Sequence, residues 1–340
     1  MAKVSLVVPV YHNAASLPTL LERFQALAER NADDTFEFVF VDDGSKDQSF
    51  ATLESLLAGE SRMRIIKLAR NFGSNAAIRA GLSAATGDAV VAIAADLQDP
   101  PELIDEMLAH WRKGREVVLA TRATRDDPFM TSIMANIFYT AFRRLAIASM
   151  PKGGFDFFLI DARVRDRLLE LKDANPYMMG QILWLGFEAE IVHYHRRERE
   201  KKYGRSMWTF FRKIKYFIDA FVSFSYAPIR MVTVMGGILG LAGLFYAAWV
   251  LVLRLTGDTT VPGWSSLMVV ILLISGVQMM MMGLLGEYLW RNLEQSRARP
   301  SYIVERELAH PSQLERAELK TGTGPHRIHP SAGVCNKDAA

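Results

Sequence analysis

Cysteine is nearly missing from this chain of 340 residues; the single one, Cys335, lies in a polar C-terminal stretch. That excludes a disulfide framework, and none is expected of a cytoplasmic domain. A dominant charge is missing too. Lys and Arg number 40 against 37 Asp and Glu, a net charge of only +3, so no nucleic-acid partner is expected. The apolar run in MAKVSLVVPVYHN is too short for a signal peptide and lacks a small-residue cleavage site, so it reads as a first strand. Yet half of the residues are hydrophobic. The excess gathers in residues 229–290, so the average hides two populations.

The first part alternates strands with helices. Val4–Val10, Phe36–Val41, Met63–Leu68, Ala89–Ala95 and Glu116–Ala120 read as strands. Ser16–Arg30, Asp47–Leu57, Asn75–Ala85 and Pro101–Trp111 read as helices, with Ser16 as N-cap of the first. Phe155–Ile160 and Glu188–Tyr194 read as further strands. The alternation predicts an α/β fold with a mostly parallel sheet.

Beyond Gly204 the character changes. Met207–Ser225 spaces Phe210, Phe211, Ile214, Phe217, Ile218 and Phe221 as a helix would, with Arg212, Lys213 and Lys215 between them. A basic amphipathic helix of this kind suits a membrane interface. Met231–Leu253 and Trp264–Leu285 are each long and apolar enough to span a bilayer. The connection Arg254–Gly263 carries one basic residue, while Arg and Lys flank the pair outside. The positive-inside rule puts the catalytic domain and both termini in the cytoplasm, anchored by two spans in the cytoplasmic (inner) membrane. Gly236, Gly240 and Gly243 share a face that permits close helix contact, within the pair or in a homo-oligomer. The expected organisation is a catalytic domain over 1–205, an interfacial helix over 206–228, a hairpin over 229–290 and a polar tail over 291–340. The tail is expected to be disordered from about residue 310.

The most informative stretch is DAVVAIAADLQDPPE, Asp88–Glu102. A Val- and Ala-rich run ends in Asp96, and Gln98, Asp99, Pro100 and Pro101 follow. Asp96 and Gln98 then stand on a turn at the C-terminal edge of a sheet, where open α/β folds bind ligands. Hard oxygen donors there suit Mg²⁺ or Mn²⁺ held jointly with a substrate's phosphates. The plain alternative is an Asp that caps the next helix. The company of this motif argues against that. Val41-Asp42-Asp43-Gly44-Ser45 places two carboxylates at the same edge, able to accept from a nucleobase N–H or ribose hydroxyls. Pro9-Val10-Tyr11 brings a ring there, and Arg70-Asn71-Phe72-Gly73 follows the third strand.

VVPVYHN, VDDGSKD, LARNFGSNAA and AADLQDPPE, in this order, resemble glycosyltransferase family 2. The two C-terminal spans narrow the resemblance to the polyprenyl-phosphate glycosyltransferases, similar to dolichol-phosphate mannose synthase and to bacterial undecaprenyl-phosphate glucosyltransferases. The resemblance covers roughly residues 3–300. It implies a GT-A (Rossmann-like) fold, a UDP- or GDP-linked sugar donor, a divalent metal, a polyprenyl phosphate acceptor and inversion at the anomeric carbon. Pro9, Tyr11 and Asp42 match the nucleotide pocket, joined on the donor side by Asp43, Arg70, Ala95 and Arg122. Asp96 and Gln98 match the metal ligands, and Asp156 matches an acidic residue beside sugar and acceptor. Arg196, Arg197, Arg199, Arg205 and Ser206 match the stretch that would hold the acceptor phosphate.

Three positions depart from the family pattern. Ala94 stands where many members have the first Asp of DxD, Phe158 where many have Arg, and Met207 where many have Lys or Arg. One carboxylate fewer places more demand on Asp96 and Gln98. Two other functions would suit a membrane-anchored fold of this kind. A processive polysaccharide synthase would carry QxxRW, which Gln181-Ile182-Leu183-Trp184 does not complete. A membrane scaffold with a degenerate fold would not need Asp42, Asp96 and Gln98 together.

Overall fold

The computed structural model describes residues 1–122, 140, 143–144, 147–151, 154–171, 173, 177–195, 227–256 and 263–310. Eight strands form one sheet in the order β7-β5-β6-β4-β1-β2-β3-β8. They are β1 (Lys3–Val10), β2 (Thr35–Asp42), β3 (Met63–Leu68), β4 (Ala89–Ala92), β5 (Val117–Arg122), β6 (Phe157–Asp161), β7 (Ala189–Tyr194) and β8 (Val304–Ala309). β1 pairs in parallel with β2 and β4, β2 with β3, and β5 with β7. β6 is antiparallel to both β4 and β5, so β1 to β5 and β7 all run one way. β8 runs against β3 at the far edge. The sheet is therefore mixed, with the parallel majority that the alternating pattern predicts.

Helices cover both faces: α1 (Leu17–Arg30), α2 (Ser49–Leu57), α3 (Ser74–Ala84), α4 (Leu103–Arg112), α5 (Ala162–Glu170) and α6 (Met178–Trp184). Alternate strand residues feed two cores. Leu6, Val8, Phe38 and Phe40 pack with Phe24 and Leu20 of α1 and Met107 of α4. Val7, Val39, Val41 and Ile66 pack with Ala77 of α3, Val164 of α5 and Ile182 of α6. Burial on both faces is why the strands read as nearly continuous apolar runs. Gln181, the start of the incomplete QxxRW match, is buried in α6 and donates to Asp173 at 2.7 Å.

Two local expectations change. Ser16 occupies the N-cap position of α1 without capping it. Its hydroxyl donates instead to the Ala95 carbonyl at 2.6 Å, tying α1 to the turn after β4. β4 ends at Ala92, three residues early, because the chain leaves the sheet to form the Asp96 turn; Ile93 N still donates to Val7 O at 3.1 Å. Pro100 and Pro101 precede α4, their carbonyls accepting from the amides of Leu103 and Ile104.

Two long helices follow, α7 (Ala227–Leu255) and α8 (Trp264–Ser296). Among the described residues one helix, at Ile229–Leu253, is long and apolar enough to cross a membrane, with a mean hydropathy of 2.0. Of the expected glycine face, Gly236 lies near α8, where a Cβ would stand 3.6 Å from Met281 Cε, while a Cβ at Gly240 or Gly243 would meet nothing within 4 Å among the described residues. Within the stretch expected to be a polar tail from residue 291, α8 continues to Ser296, and β8 then rejoins the catalytic sheet. Its alternating charges find partners in Lys67–Glu305 (3.0 Å), Arg306–Glu54 (2.9 Å) and Arg64–Glu307. The interfacial helix at Met207–Ser225, most of the connection after Leu255 and the stretch 311–340 lie outside the described residues.

Candidate active site

Strand direction assembles the site. The parallel strands bring the residues at or just after the ends of β1, β2, β3, β4, β5 and β7 to one edge of the sheet: Tyr11, Asp42, Arg70, Asp96, Arg122 and Tyr194. β6 runs the other way, so its N-terminal end lies at that edge and carries Asp156, the residue before Phe157. The acceptor-side residues Arg196, Arg197, Arg199, Arg205 and Ser206 lie outside the described residues, as does Met207.

Asp42 is fully buried. Its Oδ2 accepts from Ser45 N at 3.2 Å, and its Oδ1 is buried with no hydrogen-bond partner among the described residues. Burial pushes its pKa up. Buried carboxylate oxygens are normally satisfied, so this one suits a ligand N–H or hydroxyl. Asp43 behaves differently: its two oxygens accept from the amides of Phe72 (2.7 Å) and Gly73 (2.9 Å). Burial raises its pKa to about 6. Asp43 therefore holds the loop after β3. That loop presses on Gly44, whose φ is 66° and where a Cβ would lie 2.5 Å from Arg70 C. Arg70 is exposed, its guanidinium 4.1 Å from the Phe72 ring centre.

Tyr11 stacks on His12, with ring centres 4.2 Å apart and planes at 14°. His12 has φ 55°; its amide donates to Ser45 Oγ (3.1 Å) and its Nε2 accepts from Lys46 N (3.2 Å). His12 thus ties the first strand end to the second. Sequence reasoning missed it because a lone polar residue after a strand carries no periodicity.

Asp96 is buried, 7 % exposed, and its Oδ1 accepts from Gln98 N at 3.2 Å around Leu97, whose φ is 58°. Gln98 is half-buried beside it. Among the described residues no group of three His, Cys, Asp or Glu could hold a metal by itself. One carboxylate and one amide oxygen are hard donors. They fit a Mg²⁺ or Mn²⁺ ion that takes its other ligands from substrate phosphates and water, which is how Mg²⁺ is commonly bound.

Across the edge, Arg122 Nη2 lies 3.3 Å from Asp156 Oδ2, an ion pair whose acid is 62 % exposed. Burial opposes the charge on Arg122, but Asp156, Tyr194 and Asp99 outweigh it and raise its pKa. Phe158, at the position where relatives often carry Arg, is instead a core residue of β6, edge-on to Phe155.

Comparison with known proteins gives the family. Residues 5–163 match the family described as Glycosyl transferase family 2, and residues 227–291 match the GtrB C-terminal hairpin. An uncharacterized glycosyltransferase of Bacillus subtilis, YkcC, is 37% identical over 89% of this chain and 93% of its own. The chain belongs to glycosyltransferase family 2. It is a glycosyltransferase, and its mixed sheet with flanking helices is the GT-A, Rossmann-like fold that the resemblance implied. The bactoprenol glucosyl transferase of Shigella phage SfV is 33% identical over 90% of this chain and 99% of its own. An uncharacterized glycosyltransferase of Synechocystis, sll0501, is 35% identical over 89% and 94%.

Proposed function

We propose that this enzyme transfers a sugar from a UDP- or GDP-linked donor to a polyprenyl phosphate at the cytoplasmic face of the membrane, inverting the anomeric carbon. The path of the chain carries this reading. The chain leaves the catalytic sheet after Tyr194, at the ligand edge, and returns into β8 at the same edge. Only residues 297–303 connect α8 to β8, a reach of at most roughly 30 Å. The edge that binds ligands is thus tethered to the apolar helices, where a lipid acceptor would lie. The same path supports two spans. Were α7 the sole crossing, β8 would lie across the bilayer from β3, with which it hydrogen-bonds. The bactoprenol relatives support the acceptor class.

The chemistry asks little of a base. A phosphate monoester is mostly dianionic near neutral pH, its second pKa being about 6. One of its oxygens bonds to the anomeric carbon as the bond to the nucleoside diphosphate breaks, and that electron pair leaves with the diphosphate. Asp42 binds the nucleoside, and Arg122 binds on the donor side. Asp156, fixed by Arg122, orients sugar or acceptor rather than taking a proton. A divalent ion held by Asp96 and Gln98, when bound, supplies Lewis-acid stabilisation of the leaving group. Arg196, Arg197, Arg199, Arg205 and Ser206 hold the acceptor phosphate, for which Arg forks are suited.

The test is a transfer assay. Purified protein in detergent meets undecaprenyl phosphate and a panel of radiolabelled nucleotide sugars, with and without Mn²⁺. One sugar per lipid is expected, chelation should stop the reaction, and Asp96→Ala should lower turnover by at least about a hundredfold. Polymer would indicate a processive synthase, and no transfer from any donor would refute the reading.

A further inference from the structure

We propose that Tyr194 and Asp99 are positioning residues that act through Arg122; this rests on the sugar-transfer reading above. Tyr194 ends β7 and is buried, its ring edge-on to Phe157 at 6.2 Å. Its hydroxyl donates to Asp99 Oδ1 at 2.5 Å. Asp99 is itself buried in the turn that begins at Asp96. Arg122 is the register partner of Tyr194 in the neighbouring strand, so the two side chains lie side by side, and Tyr194 and Asp99 are among the groups that raise the guanidinium's pKa. The same guanidinium reaches Asp156. A connected series, Asp99–Tyr194–Arg122–Asp156, thus crosses the ligand edge from the metal turn to the acid beside β6.

The direction of the bonds follows from the chemistry of each group. A phenol has one proton. Once it is donated to Asp99, the Tyr194 oxygen offers only lone pairs, and a guanidinium is the donor that fits them. Arg122 cannot lose its proton, so the polarity of the series is fixed. Its N–H groups lie in one rigid plane; the ion pair with Asp156 and the neighbouring Tyr194 set its orientation before any donor arrives. An unrestrained Arg would have to lose rotamer freedom on each binding event. The strong bond inside a buried site keeps that freedom suppressed. Neither Asp99 nor Tyr194 needs to touch substrate. The sequence places Asp99 inside the DLQDPP motif without a role, and Tyr194 gives no signal at all; only the sheet joins them.

The experiment uses the full chain in detergent, with UDP-glucose and undecaprenyl phosphate as probes. Tyr194→Phe keeps the ring and its packing. We expect kcat to fall at least about tenfold, as for a slightly misplaced group, with KM for the lipid phosphate unchanged. Added to Arg122→Ala, it should cost no further activity. Asp99→Asn keeps an acceptor for the hydroxyl and should retain more turnover than Asp99→Ala. Wild-type turnover in Tyr194→Phe, or losses that multiply with Arg122→Ala, would overturn the proposal while leaving the transfer reading intact. If the wild type transfers no sugar, that reading fails by itself. The link is then judged by Tm: shifts from Tyr194→Phe and Asp99→Ala that add independently would overturn it, and shifts that do not add would uphold it.

Discussion

At the scale of single residues, the adjacent carboxylates of Asp42 and Asp43 have separate tasks. One presents to the ligand edge a buried oxygen without a partner among the described residues, and the other secures the loop that carries Arg70. Their sequence, Asp-Asp-Gly, does not distinguish them, because the loop amides that occupy Asp43 come from residues 72 and 73. The raised pKa of Asp43 gives a test. Its folded value of about 6 lies above the ordinary 3.8, so the folded state binds the proton more tightly. That contribution is fully present below pH 4 and is lost as pH rises through 6. It amounts to about 3 kcal/mol at most. Asp42 shifts in the same sense. Denaturant unfolding of the ligand-free protein should show stability falling from pH 4 to 6.5, and Asp43→Asn should flatten that slope. Equal slopes in both proteins would refute the assignment. Ala94 was legible as a departure from the DxD pattern. That Asp96 is held by its own turn, through Gln98 N and the strained Leu97, was not.

At the scale of elements, most strands and helices were legible because both sheet faces are covered and the apolar runs are therefore long. The exceptions are informative. β8 reads as polar tail because VERELA shows no apolar face; its stability comes from backbone pairing to β3 and from charges on β3 and α2. Nothing local encodes a partner so distant in the chain. β4 is shorter than its apolar run because, after a last bond from Ile93 N to Val7 O, the chain leaves the ladder while Ile93 and Ala95 stay buried. Gly44 marks where two loops meet. Gly44→Ala would force a Cβ against the Arg70–Asn71 backbone at a positive φ. It should lower stability by about 1–3 kcal/mol and raise KM for the nucleotide sugar, read by Tm and donor titration. An unchanged KM would separate this loop from donor binding.

At the scale of the whole molecule, the helices α7 and α8 are inserted between the seventh and eighth strands of a single sheet, and on the proposed reading they form the membrane hairpin. This constrains topology more strongly than hydropathy, because β3 and β8 must lie on one side of the bilayer. In a Cys335→Ser background, a cysteine at Asp258 should react with a membrane-impermeant maleimide in intact cells. One at Lys113, on the exposed end of α4, should react only after permeabilisation. Labelling of Lys113→Cys in intact cells would overturn the orientation.

The sequence by itself determined the αβ alternation, the apolar helices and the acidic strand ends, because each rests on local pattern: periodicity, length and turn chemistry. It also placed the protein in its family through motifs that lie at those strand ends. Only the tertiary structure decided which groups at the edge meet one another. Asp156 joins Arg122 because β6 runs backwards, Tyr194 reaches Asp99 from the end of β7, and β8 brings the chain from α8 back to the edge that carries these residues. Strand direction and order are collective properties of the sheet, set by pairings between residues far apart in the chain. No local stretch of sequence carries them.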